Sequence, residues 1–208
     1  MQGRFIVIEG LEGAGKSTAM GICEQALNSR GIDFVKVREP GGTPLAESLR
    51  SLVKSHHEEN VAPETELLIM YAARAQLIHN VIKPALSKGQ WVLADRHDWS
   101  SQAYQGGGRQ LPQTHLDALA TIVLNGLTPD LVLYLDIEPS LGLSRARGRG
   151  ELDRIEQEAI EFFERTRAKY LSLVENASFG VKIDASQSMT QVHDDIHNAL
   201  SQFLDKVC

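Results

Sequence analysis

Short apolar runs alternate along the chain with stretches in which apolar residues recur every three or four positions. Arg4–Glu9 holds Phe5-Ile6-Val7-Ile8 and stops at Gly10, which predicts a strand buried on both faces. Ser17 to Arg30 has helical spacing and closes on Gly31, a residue suited to a helix C-cap. Phe34–Val37 predicts a second strand. After Pro63, the residues Leu67, Met70, Tyr71, Arg74, Ile78 and Ile82 predict a long helix that Pro84 breaks or restarts. Trp91–Ala94, Leu131–Leu135 and, more weakly, Val181–Ile183 predict three further strands. Helical patterns over Leu116–Leu124 and Glu156–Val174 lie between them. Strands alternating with helices predict an α/β fold, a parallel sheet of five strands with helices on both faces. In such sheets ligands bind beyond the carboxyl ends of the strands, so the residues just after each strand matter most.

Composition narrows the setting. The 208 residues suit one domain spanning 1–208, and 42% hydrophobic with 23% charged residues is ordinary for a soluble globular protein. Apolar runs such as Leu131–Leu135 are too short to span a bilayer, and the polar start after Met1 does not resemble a signal peptide. Two cysteines, Cys23 and Cys208, make no disulfide framework or metal cluster, which points to a reducing cytoplasm. A net charge of −6 argues against a broad nucleic-acid surface. Anion binding must therefore come from local groups.

Gly10-Leu11-Glu12-Gly13-Ala14-Gly15-Lys16-Ser17 matches G-x-x-x-x-G-K-[ST], placed after a strand and opening a helix. Its glycines let backbone N–H groups of the segment through Thr18 turn inward as an anion nest at a helix N-terminus. Lys16 is placed to reach the β- and γ-phosphates of a bound nucleotide, and the Ser17 hydroxyl to ligate Mg²⁺. A GTPase switch or an ATPase would carry the same loop. The chain has no Asn-Lys-x-Asp tetrapeptide and no Asp-x-x-Gly after the third strand, where Asp95-Arg96-His97 stands instead. Strand alternation predicts that Asp95 faces Ser17 and the metal while Arg96 turns toward a second phosphate. Arg38, before the sharp turn Glu39-Pro40-Gly41-Gly42, ends the second strand. Two arginines at neighbouring strand ends form a fork suited to a monophosphate, which a kinase for a phosphorylated acceptor requires.

The run Asp95–Arg109, the segment Glu9–Ser17, the loop Arg38–Thr43, Tyr71-Ala72-Ala73-Arg74 and Arg145–Glu156 together resemble the signature of thymidylate kinases of the bacterial branch. That resemblance implies a P-loop NTPase fold and γ-phosphoryl transfer from ATP to dTMP with Mg²⁺. It implies that Glu12 binds the 3′-hydroxyl of the acceptor and that Arg38 and Arg96 grip its phosphate. Arg74 reads a thymine carbonyl, Ser101 and Gln105 lie near the base edge, and Tyr104 crowds C2′. Where relatives carry a Phe that stacks on thymine, this chain has Met70, on the same helix face as Arg74. The tripeptide Gly106–Gly108 is expected only to turn the chain.

Arg145, Arg147 and Arg149 alternate with small residues, and glycines flank Arg149, which predicts a mobile lid over about 142–156 in place of a packed helix. Relatives of another branch carry an arginine at the P-loop position of Gly13, and branches without it carry lid arginines instead. Arg145, Arg147 and Arg149 are expected to bind ATP from the lid, with Arg149 the one acting with Lys16 and Arg96 as the phosphoryl group moves. The resemblance also implies a homodimer. A kinase for another pyrimidine monophosphate, such as dUMP or a modified dTMP, would share every one of these motifs.

Overall fold

In the computed structural model, which describes residues 3–148 and 153–207, the first apolar run forms β1 (Phe5–Gly10) at the centre of a sheet. The strands β2 (Phe34–Arg38), β3 (Trp91–Asp95), β4 (Leu131–Asp136) and β5 (Gly180–Asp184) complete it, all parallel, in the order β2-β3-β1-β4-β5. Between them run α1 (Lys16–Ser29), α2 (Pro44–Lys54), α3 (Pro63–Leu77), α4 (Lys83–Ser87) and α5 (Asp98–Ser101), then α6 (Gln113–Leu124), α7 (Pro139–Arg147), α8 (Ile160–Asn176) and α9 (Met189–Val207). This is the five-stranded parallel sheet between helices that the alternation of patterns predicts. No helix among the described residues is long and apolar enough to cross a membrane.

Alternation along the strands divides the core. Ile6, Ile8, Leu93 and Leu133 pack on one face with residues of α1, α8 and α9, such as Leu27, Tyr170 and Leu200. Phe5, Val7, Val92 and Ala94 face the other side, against Leu77, Ile78, Ile82 and Ala85 of the α3–α4 segment. Because β1 is buried on both faces, its whole length is apolar up to Glu9.

Two stretches are wider than an α-helix. Residues Ile78–Ile82 form a π-helical link from α3 to α4, just ahead of Pro84. Proline has no N–H for the regular ladder and its ring crowds the preceding turn, so the helix restarts there as expected. The second, Gln102–Gly108, continues α5.

The second π-helical stretch corrects the reading of Gly106–Gly108, which do not merely turn the chain. They lie inside this segment, Gly106 against Leu116 of α6 and the other two pressed against α8: a Cβ at Gly107 would stand 2.7 Å from Lys169 Cβ and 2.9 Å from the Arg165 carbonyl oxygen. Neither obstacle is a flexible side-chain end, so Gly107→Ala must push α8 away. It should lower stability by about 1–3 kcal/mol, as for an overpacked core, read by urea denaturation.

Candidate active site

Between β1 and α1 the loop takes left-handed backbone at Gly13 (φ 74°) and Gly15 (φ 92°), a conformation glycine adopts without a Cβ clash. Gly13 also has no room for a side chain, since a Cβ there would lie 2.0 Å from the carbonyl oxygen of Gly142 in α7. Lys16 folds over the loop, its Nζ donating to the carbonyls of Gly10 (3.0 Å) and Leu11 (2.8 Å). Burial, followed by the nearby Arg96 charge, lowers its ammonium to a pKa of about 8.

A cavity of about 340 Å³ opens beside this loop. Of the expected ATP-binding residues, Glu12, Gly13, Gly15, Lys16 and Ser17 line it. Gly10, Leu11 and Ala14 are buried beneath the loop, and Thr18 is exposed on the first turn of α1. All the expected acceptor residues (Glu12, Arg38, Met70, Arg74, Arg96, Ser101, Tyr104 and Gln105) line the same cavity. So does Asp95, whose Oδ1 is buried without a hydrogen-bond partner among the described residues. An orphaned carboxylate oxygen across a shared cavity from the Ser17 hydroxyl suits a hard cation. Among the described residues no three His, Cys, Asp or Glu side chains cluster as a metal cage. Mg²⁺, which keeps waters and nucleotide oxygens as ligands, matches such a sparse donor set.

At the acceptor end the chain bends at Arg96. β3 stops at Asp95, and Arg96 has φ 70°, an unusual conformation for a side-chain-bearing residue. Strand alternation therefore does not separate Asp95 from Arg96, as the sequence reading assumed; a left-handed kink does, and both face one cavity. Glu9 fixes the segment after the kink. It accepts from His97 N (2.8 Å), Ser100 N (3.2 Å), Ser100 Oγ (2.7 Å) and Tyr170 OH (2.8 Å). Arg96 Nη1 donates to Ser100 Oγ and Tyr170 OH, and Nη2 to Glu12 Oε1 (2.7 Å) and Tyr104 OH (3.1 Å). The Tyr104 hydroxyl donates to Glu12 Oε2 at 2.6 Å. Burial opposes the Glu12 charge, but Arg96 and then Lys16 outweigh it and hold the carboxyl below its ordinary value. Arg38 ends β2 beside β3, its guanidinium half-exposed and paired with Glu47 at 3.1 Å.

Arg74 is held on three sides. Its Nε donates to Glu39 Oε2 (2.7 Å), and its Nη2 to the His97 carbonyl (2.9 Å) and Ser101 Oγ (3.0 Å). Both members of the Arg74–Glu39 pair are only 3% exposed, and Glu39 also accepts from the His97 ring at 2.7 Å. Met70, one helical turn earlier, is half-buried on the cavity wall. Tyr71 points elsewhere, its hydroxyl donating to Asp98 at 2.7 Å.

The lid departs from expectation. Arg145 and Arg147 belong to α7, with Ala146 between them buried at 5% exposure. Arg145 Nη1 donates to the carbonyl of Ala185 at 3.1 Å, and neither arginine lines the cavity. Alternation with small residues here is a helix laying its small residue inward. Arg149 lies outside the described residues. After it, Asp153 pairs with Lys54, and Arg154 donates to the Val53 carbonyl (3.0 Å) and to Glu66 (2.6 Å).

Several site residues carried no signal that was read in the sequence. Arg50 and Lys54 line the cavity from α2, a helix the apolar spacing did not announce. Glu39, which pairs with Arg74, and Glu9, which holds the Ser100 and Tyr170 hydroxyls that Arg96 contacts, are buried carboxylates that stood inside motif segments without a role of their own.

With known proteins the chain shares more than this geometry. A family model described as thymidylate kinase matches residues 8–196. A thymidylate kinase of Pseudoalteromonas translucida is 66% identical over 203 residues, covering 98% of each chain. Those of Haemophilus ducreyi and Idiomarina loihiensis are 58% and 57% identical, over 98% of this chain and 96% and 100% of theirs. A nucleotide cradle and an arginine-rich second pole in one cavity, with matches of this extent, place the chain in the thymidylate kinase family.

Proposed function

We propose that the protein transfers the γ-phosphoryl group of ATP to the phosphate of dTMP, giving ADP and dTDP for dTTP synthesis. One observation carries the reading: a single cavity joins a P-loop at one end to a clamped arginine and a carboxylate–tyrosine pair at the other. A switch or plain ATPase has no use for the second pole.

In this reading the loop amides and Lys16 hold the β- and γ-phosphates. Arg38 and Arg96 take the dTMP phosphate, Glu12 its 3′-hydroxyl, and Arg74 a carbonyl of thymine. Tyr104, pinned by Glu12 and Arg96, stands as a wall against a 2′-hydroxyl, since rejecting an added hydroxyl takes a steric barrier or an unsatisfiable contact. Ser17 and Asp95 would hold Mg²⁺, which would offset the negative charge of the ATP phosphates during transfer. Arg149 supplies further charge from the lid. The acceptor is already an anionic phosphate, so no general base is needed. We assign the protein to the cytoplasm, working as a homodimer.

The test is a transfer assay with ATP and Mg²⁺ against dTMP, dUMP, dCMP, dGMP, UMP and AMP. dTMP should give the highest kcat/KM, and a clear preference for any other acceptor overturns the assignment. At the base, Met70→Phe should tighten dTMP binding by about 0.5–1.5 kcal/mol, because a ring adds stacking that a thioether lacks. Calorimetry on the two proteins checks it; equal affinities would mean that Met70 does not face the base.

A further inference from the structure

Gln105 is 1% exposed and lines the cavity, and among the described residues its amide makes one hydrogen bond, Nε2 donating to Glu66 Oε1 at 2.9 Å. Its Oε1 accepts nothing from the described residues, yet it is not among the buried atoms lacking a partner. An unpaired oxygen on so buried a side chain is open to the cavity that the residue lines. The orientation of this amide is chemically forced. An ionised carboxylate only accepts, so the NH₂ must face Glu66 and the carbonyl must face away.

Glu66 cannot turn to accommodate the reverse. It is fully buried in α3 and does not line the cavity. Its Oε1 also accepts from Arg109 Nε (3.1 Å), and its Oε2 from Arg109 Nη2 (3.0 Å) and Arg154 Nη2 (2.6 Å). With Gln105 that makes four donors on two oxygens, the full capacity of a carboxylate. Burial opposes its charge, but Arg109, Gln105 and Arg154 together keep the Glu66 carboxyl below its ordinary value.

We propose that Glu66 is a positioning residue for base selection, holding the Gln105 carbonyl toward the cavity so that the site demands a pyrimidine with an N3–H. Thymine and uracil supply that donor. Cytosine has a bare N3 lone pair there, which would meet the fixed oxygen acceptor to acceptor. The inference rests on dTMP being the acceptor and adds a second checkpoint to the carbonyl contact assigned to Arg74.

The experiment measures affinities of dTMP, dUMP and dCMP, by competition and calorimetry, for wild type, Glu66→Gln and Gln105→Met. A glutamine at position 66 can donate or accept, so it frees the Gln105 amide to flip. The dTMP-over-dCMP affinity ratio should fall about tenfold or more, the scale of one buried mismatch. The dTMP-over-dUMP ratio should stay within about twofold, because both carry the N3–H. In Glu66→Gln the dTMP KM should change more than kcat. Gln105→Met should also lower the dCMP discrimination, and by less, having neither donor nor acceptor. A folded Glu66→Gln protein with unchanged dCMP discrimination overturns the proposal, as does an unchanged ratio in Gln105→Met. Should Glu66→Gln fail to fold, the wild-type protein still decides. The side-chain NH₂ of Gln105, assigned by NMR from its loss in Gln105→Met, should resist solvent exchange with and without dTMP, and rapid exchange overturns the clamp. Wild type that phosphorylates no dTMP would instead overturn the activity itself.

Discussion

Lys16→Ala is expected to cut turnover by about 10³-fold or more while leaving the folded protein intact, because the ammonium at the mouth of the cradle is a charge device and not a packing element. A loss of that size is about 4 kcal/mol of transition-state stabilisation. The side chain packs little apolar surface: it lines the open cavity, and its hydrogen bonds go to the Gly10 and Leu11 carbonyls, which truncation would leave facing that cavity. The sign of its pKa shift points the same way. The folded value of about 8 lies below the ordinary 10.5, so the unfolded chain holds this proton more tightly. The charged lysine therefore opposes folding at all pH below about 8, and the opposition fades as pH rises from there toward 10.5. Truncation should leave the melting temperature at pH 7 unchanged or slightly raised. Transfer assays and thermal denaturation on the same preparation check both halves, and near-normal turnover would overturn the cradle assignment.

Arg96→Ala should do the opposite to stability and strike the acceptor instead of ATP. Its guanidinium joins Glu12, Ser100, Tyr104 and Tyr170, so removal leaves the largely buried Glu12 carboxylate with the Tyr104 hydroxyl and without its paired cation. Breaking a buried pair from one side costs about 3–5 kcal/mol, read here in the urea midpoint. Loss of a charged partner for the dTMP phosphate should weaken dTMP binding by about 2–4 kcal/mol. The two effects can be separated. Arg96→Ala combined with Glu12→Gln removes the stranded charge and should recover part of the stability, with no recovery of dTMP binding. Arg96→Lys should rescue little, since a point charge cannot span the same partners. A variant that loses ATP affinity and keeps dTMP affinity would show that the two phosphate positions are exchanged.

Much of this architecture was legible in order along the chain. The strands could be read because burial on both faces makes them continuous apolar runs, each ending within one residue of its expected bounds. The cradle could be read because its geometry dictates glycines at fixed spacing. α2 escaped because only Ala46 and Val53 on it are buried, too few to mark a face; its signal was Thr43 before Pro44, an N-cap whose Oγ accepts from Ala46 N at 3.2 Å. α9 went unread although Ile196, Leu200 and Leu204 mark its buried stripe at intervals of four. The Glu66 cluster left no trace, since its partners Gln105, Arg109 and Arg154 stand 39, 43 and 88 positions away. Arg145 and Arg147 were misplaced because a basic segment dotted with small residues is written alike for a flexible loop and for a helix end that tucks alanine inward.

The meeting of Gly13 with Gly142 limits how this enzyme could be altered. An arginine at position 13 would need a left-handed backbone and would drive its Cβ to 2.0 Å from a helix carbonyl. From the opposite side, a Cβ at Gly142 would lie 2.5 Å from the Glu12 carbonyl oxygen. Neither position can change alone. A side chain at either position therefore requires α7 to withdraw, and an engineer placing an arginine at position 13 must reposition that helix as well.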